Sequence, residues 1–237
     1  MHSHNREKTA EEIELAPGIT VANYLEFKEN GKKDRIAELI QRRFEHRFIE
    51  PLIDSRRDDE QTRSVKCKSA TGFIMIATGA LLIEALHSLY TGKSAKGEAG
   101  GAFQSFFDKH ERFKDFRTRA KDADGKEKNE FYLRFRCSLH HNGGTSGRWR
   151  ILKSGKLIDR KQETVNACLF LKVIRDQIDE FCRELTGDTQ FTDDAKCRWG
   201  KVLKRLDEIA IECGLDPKKL MQPSSLASME SRRTKSD

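Results

Sequence analysis

Residues 69–83 read SATGFIMIATGALLI, an uncharged run of 15 positions in a chain that is 35% Asp, Glu, Lys and Arg. A run this apolar has to be buried, and it is shorter than the roughly 20 residues a membrane-spanning helix needs. It passes straight into Glu84 and His87, so the pattern predicts a core helix over about 69–90, apolar nearly all round and central to the fold. Gly72, Ala77, Gly79 and Ala80 would let a second helix approach closely. Glu84 stands one turn beyond the apolar stretch. If buried it needs a partner, because an isolated charge in a core is costly. A guanidinium from the Arg134/Arg136 segment is one candidate; the alternative is that Glu84 marks where the helix surfaces.

The other periodic segments are helical in spacing. Ile36, Leu39, Ile40, Phe44, Phe48 and Ile49 recur at three- and four-residue steps before Pro51, which predicts an amphipathic helix from residue 32. Its outer face carries Arg42, Arg43, His46 and Arg47, read as a solvated face with RNA contact as the alternative. Phe103, Phe106, Phe107, Phe113 and Phe116 mark a third helix over 102–119. Residues 128–141 form a fourth, and 163–185 and 192–213 two more, the last stopped by Gly214 and Pro217. Between the fourth and fifth, GRWRILKSGKLIDR reads as a β-hairpin near 148–158, turning at Ser154-Gly155.

With only 4 prolines and few Val/Thr alternations, the expected fold class is all-α: an up-and-down helical bundle with one small hairpin after the fourth helix. The expected organisation is a single helical domain over 31–215, a flexible arm over 1–30 in which Pro17-Gly18 breaks any helix, and a disordered tail over 216–237. Residues 54–66 and 91–101 read as loops; TGKSAKG lacks the spacing of a phosphate-binding loop and follows no strand.

A formal charge of +7 and a pI near 9.1 suit a polyanionic partner. RNA is the expected one, with Arg148, Arg150, Lys153 and Lys156 along the hairpin as contacts and Trp149 embedded among them. The 6 cysteines show no CxxC and no Cys–His ligand spacing, which argues against structural zinc. The N-terminal MHSHNREKTAEE has no apolar signal-peptide core. A cytoplasmic protein with reduced thiols, no membrane association, no metal and no cofactor is therefore expected.

The chemistry is concentrated in residues 131–149, FYLRFRCSLHHNGGTSGRW. Placed on one α-helix at about 100° per residue, Phe131, Tyr132, Phe135 and Leu139 face inward. Arg136 and His140 then share one flank, and Arg134 and His141 the other. Asn142-Gly143-Gly144 should end the helix with a left-handed residue. These side chains fit phosphodiester cleavage without a metal. Imidazole titrates near neutrality and can take a 2′-hydroxyl proton or deliver one to a leaving 5′-oxygen. Guanidinium suits the extra negative charge on a pentacovalent phosphorus. In-line cleavage wants both an acid and a base, so a symmetric dimer would complete the site. The two histidines are poorly placed to chelate one ion, since adjacent residues on a helix point about 100° apart.

RFRCSLHHNGGT resembles the signature of the HEPN superfamily (higher eukaryote and prokaryote nucleotide-binding domains), an Arg followed after four to six residues by a His. Arg136 to His141, Arg134 to His140 and Arg134 to His141 all satisfy it; the RC-x-L-x-H form favours Arg136 and His141. Cys137 departs from the Asn, Asp or His often found after the arginine. Across roughly residues 32–186, the resemblance implies an all-helical bundle of the HEPN type and a homodimer with facing motifs. It also implies metal-independent endoribonuclease activity leaving a 2′,3′-cyclic phosphate, and a toxin or effector role in prokaryotic defence or toxin–antitoxin systems with an antitoxin or defence partner. Arg136 and His141 are then the expected catalytic pair, supported by Arg134, His140, Asn142 and Glu84. A non-catalytic HEPN-like module that binds RNA or protein is the alternative. The Arg136–His141 register requires the last helical turn to unwind at Asn142-Gly143-Gly144.

Overall fold

A computed structural model of the chain describes residues 8–53, 71–94, 99–187 and 194–220. The expected connector 54–66, the middle of the loop 91–101 and the tail from residue 221 lie outside the described residues. The protein is mostly helical with a few small sheets. It divides into two compact units, one made by Met1–Arg43 with Cys182–Asp237 and the other by Phe44–Phe181.

In the first unit, β1 (Glu14–Ala16) and β2 (Ile19–Thr20) form a small antiparallel hairpin. Its turn is Pro17-Gly18, with Gly18 at φ +73°, as a type II turn requires at its second central position. Helix α1 (Val21–Glu29) follows at once, begun by a capping box in which Thr20 and Asn23 satisfy each other's backbone. Leu15, Val21 and Tyr24 are fully buried. The described part of the expected N-terminal arm is therefore folded, because Pro17-Gly18 makes a hairpin turn instead of interrupting order. Helix α2 (Lys33–Phe44) and helix α7 (Asp194–Glu212) complete the unit with the last turn of α6 (Ala167–Thr186). The Tyr24 hydroxyl donates to Asp207 at 2.7 Å, and the same carboxylate accepts from Lys28 at 2.8 Å. Pro217–Leu220, expected to begin a disordered tail, makes a 3-10 turn.

The second unit is built on α3 (Gly72–Thr91), the 20-residue helix that the uncharged run opens. By length and composition it could cross a membrane, yet half of it is buried within the protein. Gly92, at φ +68°, ends it. At Gly79 a Cβ would come within 2.6 Å of the Phe170 ring and 2.7 Å of Ile174, so α6 approaches α3 as closely as a glycine allows. Helix α4 (Ala99–Lys109) stops ten residues short of the expected end and is followed by a 3-10 stretch, Glu111–Phe116. Phe103, Phe106, Phe107, Phe113, Phe116, Phe131, Phe135 and Phe170 form a continuous network of ring contacts, all buried. Such pairs add about 0.5–1.5 kcal/mol each beyond their buried area.

Three further features depart from expectation. The charged loop before the motif contains the hairpin β3 (Arg119–Lys121) and β4 (Glu127–Asn129), so the fourth helix starts later than residue 128. That helix opens at Glu130 and Phe131, runs as a π-helix over Tyr132–Cys137, and becomes the short α-helix α5 over Ser138–Asn142. Finally, β5 (Arg150–Leu152) and β6 (Ile158–Asp159) do not pair as a hairpin. Both flank β7 (Thr164–Asn166), β5 in parallel and β6 antiparallel. The reason is burial: Thr164, Val165 and Asn166 are all buried and take the central place, which shortens the helix expected from 163. Asn166 then caps α6, accepting from the amides of Cys168 and Leu169. The all-α expectation thus becomes mostly-α.

Candidate active site

The motif lies on the π-helix and α5. Phe131 and Phe135 are buried and stacked on each other, which fixes the inner face of the segment. Phe135 also meets Trp149 edge-on at 5.4 Å, and Trp149 is buried. Trp149 is therefore part of the packing behind the motif and presents no ring to a nucleic acid. The i→i+5 pattern of Tyr132–Cys137 takes about one residue more per turn than an α-helix. The Ser138 hydroxyl donates to the carbonyl of Leu133, five residues back.

This alters the expected azimuths. Superposing Arg134 on His141 requires an unbroken α-helix, and the π stretch breaks it. Nor does the end of the helix unwind at Asn142. It stays α-helical through Asn142, and Gly143, at φ +66°, supplies the left-handed stop. The slack lies upstream of the histidines, between the two arginines and Cys137.

Arg136 is the side chain the structure ties most firmly. Its Nε donates to Oε1 of Glu84 on α3 at 2.8 Å, with 25% of the Arg136 side chain and 16% of the Glu84 side chain exposed. The first of the two expectations for Glu84 holds: it is a partly buried carboxylate with a guanidinium partner. That hydrogen bond holds the proton on Arg136 more firmly than usual. Among the described residues, the Nη groups of Arg136 make no hydrogen bond, so one edge of the fork is left to meet oxygens. The guanidinium also lies 6.0 Å from the centre of the Tyr132 ring. The Tyr132 phenol, hydrogen-bonded to Cys137 and partly withdrawn from water, is pushed up to about 12.

His140 and His141 share the last turn with exposed Asn142, their ring centres 5.1 Å apart at an interplanar angle of 78°. His140 and His141 are both exposed. Arg134 is half-buried beside Gly147, its carbonyl accepting from the Ser146 amide at 3.0 Å. Of the expected RNA contacts, Arg148, Arg150 and Lys156 are exposed and Lys153 is half-buried. Arg150 reaches back to the Gln162 carbonyl at 3.4 Å. They sit on the β5–β7–β6 sheet and its loops rather than along a hairpin arm. Among the described residues, no three of His, Cys, Asp and Glu are grouped as for a metal ion.

Two features escape a reading of the sequence. Tyr132, expected on the inner face, lies at the edge of the core, between Arg136 and a cleft of about 720 Å³. The cleft runs between α4 and the β3–β4 hairpin, with Lys109, Arg119 and Tyr132 among its walls. Its one sequence signal is Gly100-Gly101 at the start of α4, where missing side chains leave the space open. No family model, curated protein or solved structure matches the chain.

Proposed function

We propose that this chain is a metal-independent endoribonuclease of the HEPN type, acting in the cytoplasm as a homodimer within a prokaryotic defence or toxin–antitoxin system. The observation that carries the reading is the Glu84–Arg136 pair. A carboxylate on the central helix fixes one arginine nitrogen and leaves the Nη groups of the fork without a hydrogen bond among the described residues, and two histidines follow four and five residues later on the same helical segment.

In this reading the free edge of Arg136 meets the non-bridging oxygens of the scissile phosphate and holds the charge that grows as phosphorus becomes five-coordinate. His141 takes the 2′-hydroxyl proton. The 2′-oxygen bonds to phosphorus, the bond to the 5′-oxygen breaks, and an imidazolium returns a proton to that oxygen. The products are a 2′,3′-cyclic phosphate and a 5′-hydroxyl end. His140 and Asn142 flank the reacting group, Arg134 holds the following loop, and Arg148, Arg150, Lys153 and Lys156 meet flanking phosphates. A second copy supplies the second imidazole.

The exposed face of α3 supports the dimer. Ile74 is 55% and Leu81 54% exposed, seven residues apart on the helix, with Phe73 at 48% beside them, and Glu84 follows Leu81 by three. An apolar stripe of this kind, running up to the arginine's anchor, is what a partner copy would cover. The test of activity is cleavage of single-stranded RNA in EDTA by the purified chain and by His141→Ala.

A second reading has its own support. Because Arg136 is already neutralised by Glu84, the pair can serve as a structural clamp in a non-catalytic RNA- or protein-binding module. In that case His141→Ala leaves RNA affinity unchanged and no cleavage is seen in either protein.

A further inference from the structure

The cleft between α4 and the β3–β4 hairpin has the size of a small-molecule site, about 720 Å³ against the roughly 300–1,000 Å³ such sites span. Its walls are mixed in a particular way. Tyr132 gives it an aromatic surface. Lys109 and Arg119 also line it, and neither is in an ion pair among the described residues, whereas Lys128 on the same hairpin is held by Asp122 at 2.9 Å. Two carboxylates, Asp108 and Glu127, share the wall, and Asp108 already accepts from Gln104 at 2.8 Å. The Ser105 hydroxyl makes no hydrogen bond among the described residues and also lines the space. A ring surface, two unneutralised cations and a free hydroxyl together match a nucleotide: a flat base, a phosphate and a polar sugar edge.

Two glycines keep the cleft open. At Gly101 a Cβ would meet nothing within 4 Å, while at Gly100 it would come within 3.2 Å of the Tyr132 ring, so the ring packs closely on the helix backbone. That ring also lies 6.0 Å from the Arg136 guanidinium. Cleft and arginine therefore share one aromatic side chain.

We infer that this cleft is a nucleotide-binding subsite beside the Arg136–His141 motif, with the base against Tyr132 and its phosphate on Arg119 and Lys109. The inference rests on the ribonuclease reading for its link to cleavage, but not for the binding itself. In an RNA strand the bound nucleotide would be a neighbour of the scissile phosphate, so the cleft would set which base precedes or follows the cut. A free nucleotide has the same chemistry and would act as a competitor or effector at the same place.

The test uses the full chain carrying His141→Ala and a short labelled single-stranded RNA whose anisotropy reports binding at fixed salt. AMP, GMP, CMP and UMP are added as competitors and titrated alone by calorimetry. Two further variants probe the cleft: Gly101→Trp fills it, and Arg119→Glu reverses its cation. Both positions are exposed, and circular dichroism checks the fold of each. Loss of one stacked base weakens binding by about tenfold or more. A tenfold loss of RNA affinity in both variants, without competition by mononucleotides, supports an RNA subsite. Saturable mononucleotide binding that both variants abolish supports a free nucleotide. Wild-type affinity in both variants for RNA and mononucleotides alike, or no binding of either by the parent chain, overturns the inference. The ribonuclease reading fails separately: if the native chain cuts no RNA while the variants still lose binding, the subsite stands and the nuclease does not.

Discussion

Replacing Glu84 should cost more than a surface ion pair and less than a fully buried one. Its partner Arg136 is 2.8 Å away, and the two side chains are 16% and 25% exposed. At an effective dielectric near 20, with the charge centres about 4 Å apart, their attraction is about 4 kcal/mol, and desolvation removes part of it. A hydrogen bond to a charged group nets about 1.5–3 kcal/mol. Glu84→Leu, which leaves the guanidinium half-buried without its carboxylate, should therefore lower the unfolding free energy by about 2–3 kcal/mol. Arg136→Met should cost a similar amount, because it strands the carboxylate against an apolar helix. The double variant removes both charges and should cost clearly less than the sum, giving a coupling energy of about 2 kcal/mol. Denaturant unfolding of the four proteins, followed by circular dichroism, measures it. Additive losses, with a coupling below about 0.5 kcal/mol, would mean the pair forms no net interaction and that Arg136 is not positioned by Glu84.

Other outcomes follow from the packing and the site. Gly79→Ala should destabilise by about 1–3 kcal/mol, despite a helix-propensity gain of at most about 1 kcal/mol. The new Cβ would sit 2.6 Å from Phe170 and 2.7 Å from Ile174, both fully buried and unable to yield; a rise in the denaturation midpoint would refute this. The folded protein holds the Tyr132 proton more tightly than the unfolded chain does. The stability this contributes is complete below about pH 10 and is lost as pH rises towards about 12. Difference absorbance at alkaline pH between the native chain and Tyr132→Phe should show one phenol titrating near 12, and a midpoint at the ordinary value near 10 would contradict it. If a homodimer forms through the α3 face as proposed, Leu81→Arg should leave the helix content unchanged and turn dimer into monomer in light scattering, with loss of the proposed cleavage; a dimer that survives the substitution excludes the α3 face.

The central helix was legible because an uncharged run of 15 residues has to place at least one face inside, although Phe73, Ile74 and Leu81 stay about half exposed; Glu84 could be read either as paired or as the point where the helix surfaces, and only the structure decides for the pair. The phenylalanine cluster was legible for the same reason, although its later members lie in a 3-10 stretch rather than the α-helix their spacing suggested. The π-helix at Tyr132–Cys137 was not legible. An i→i+5 turn presents the same apolar residues as an α turn, and which of Arg134 and Arg136 meets Glu84 only becomes visible in three dimensions. Strand order around β7 was hidden because it depends on which of three short segments is most buried, and that is decided by contacts far apart in sequence. At Pro17-Gly18 the signal was present but read the wrong way, since the same pair that breaks a helix makes a tight hairpin turn. The cleft beside Tyr132 left only Gly100-Gly101 as a trace, and glycine at a helix start has many explanations.

The most direct test of the site is to incubate the native chain, His141→Ala and Arg136→Ala with single-stranded RNA in EDTA and to identify the product ends. If Arg136 and His141 are the catalytic pair, the native chain cuts and leaves 2′,3′-cyclic phosphate ends. Both variants should fold yet cut at least about 100-fold more slowly, the size expected when a general base (His141) or a donor to the developing phosphoryl charge (Arg136) is lost. Cleavage that EDTA abolishes, or that survives undiminished in His141→Ala, would contradict it.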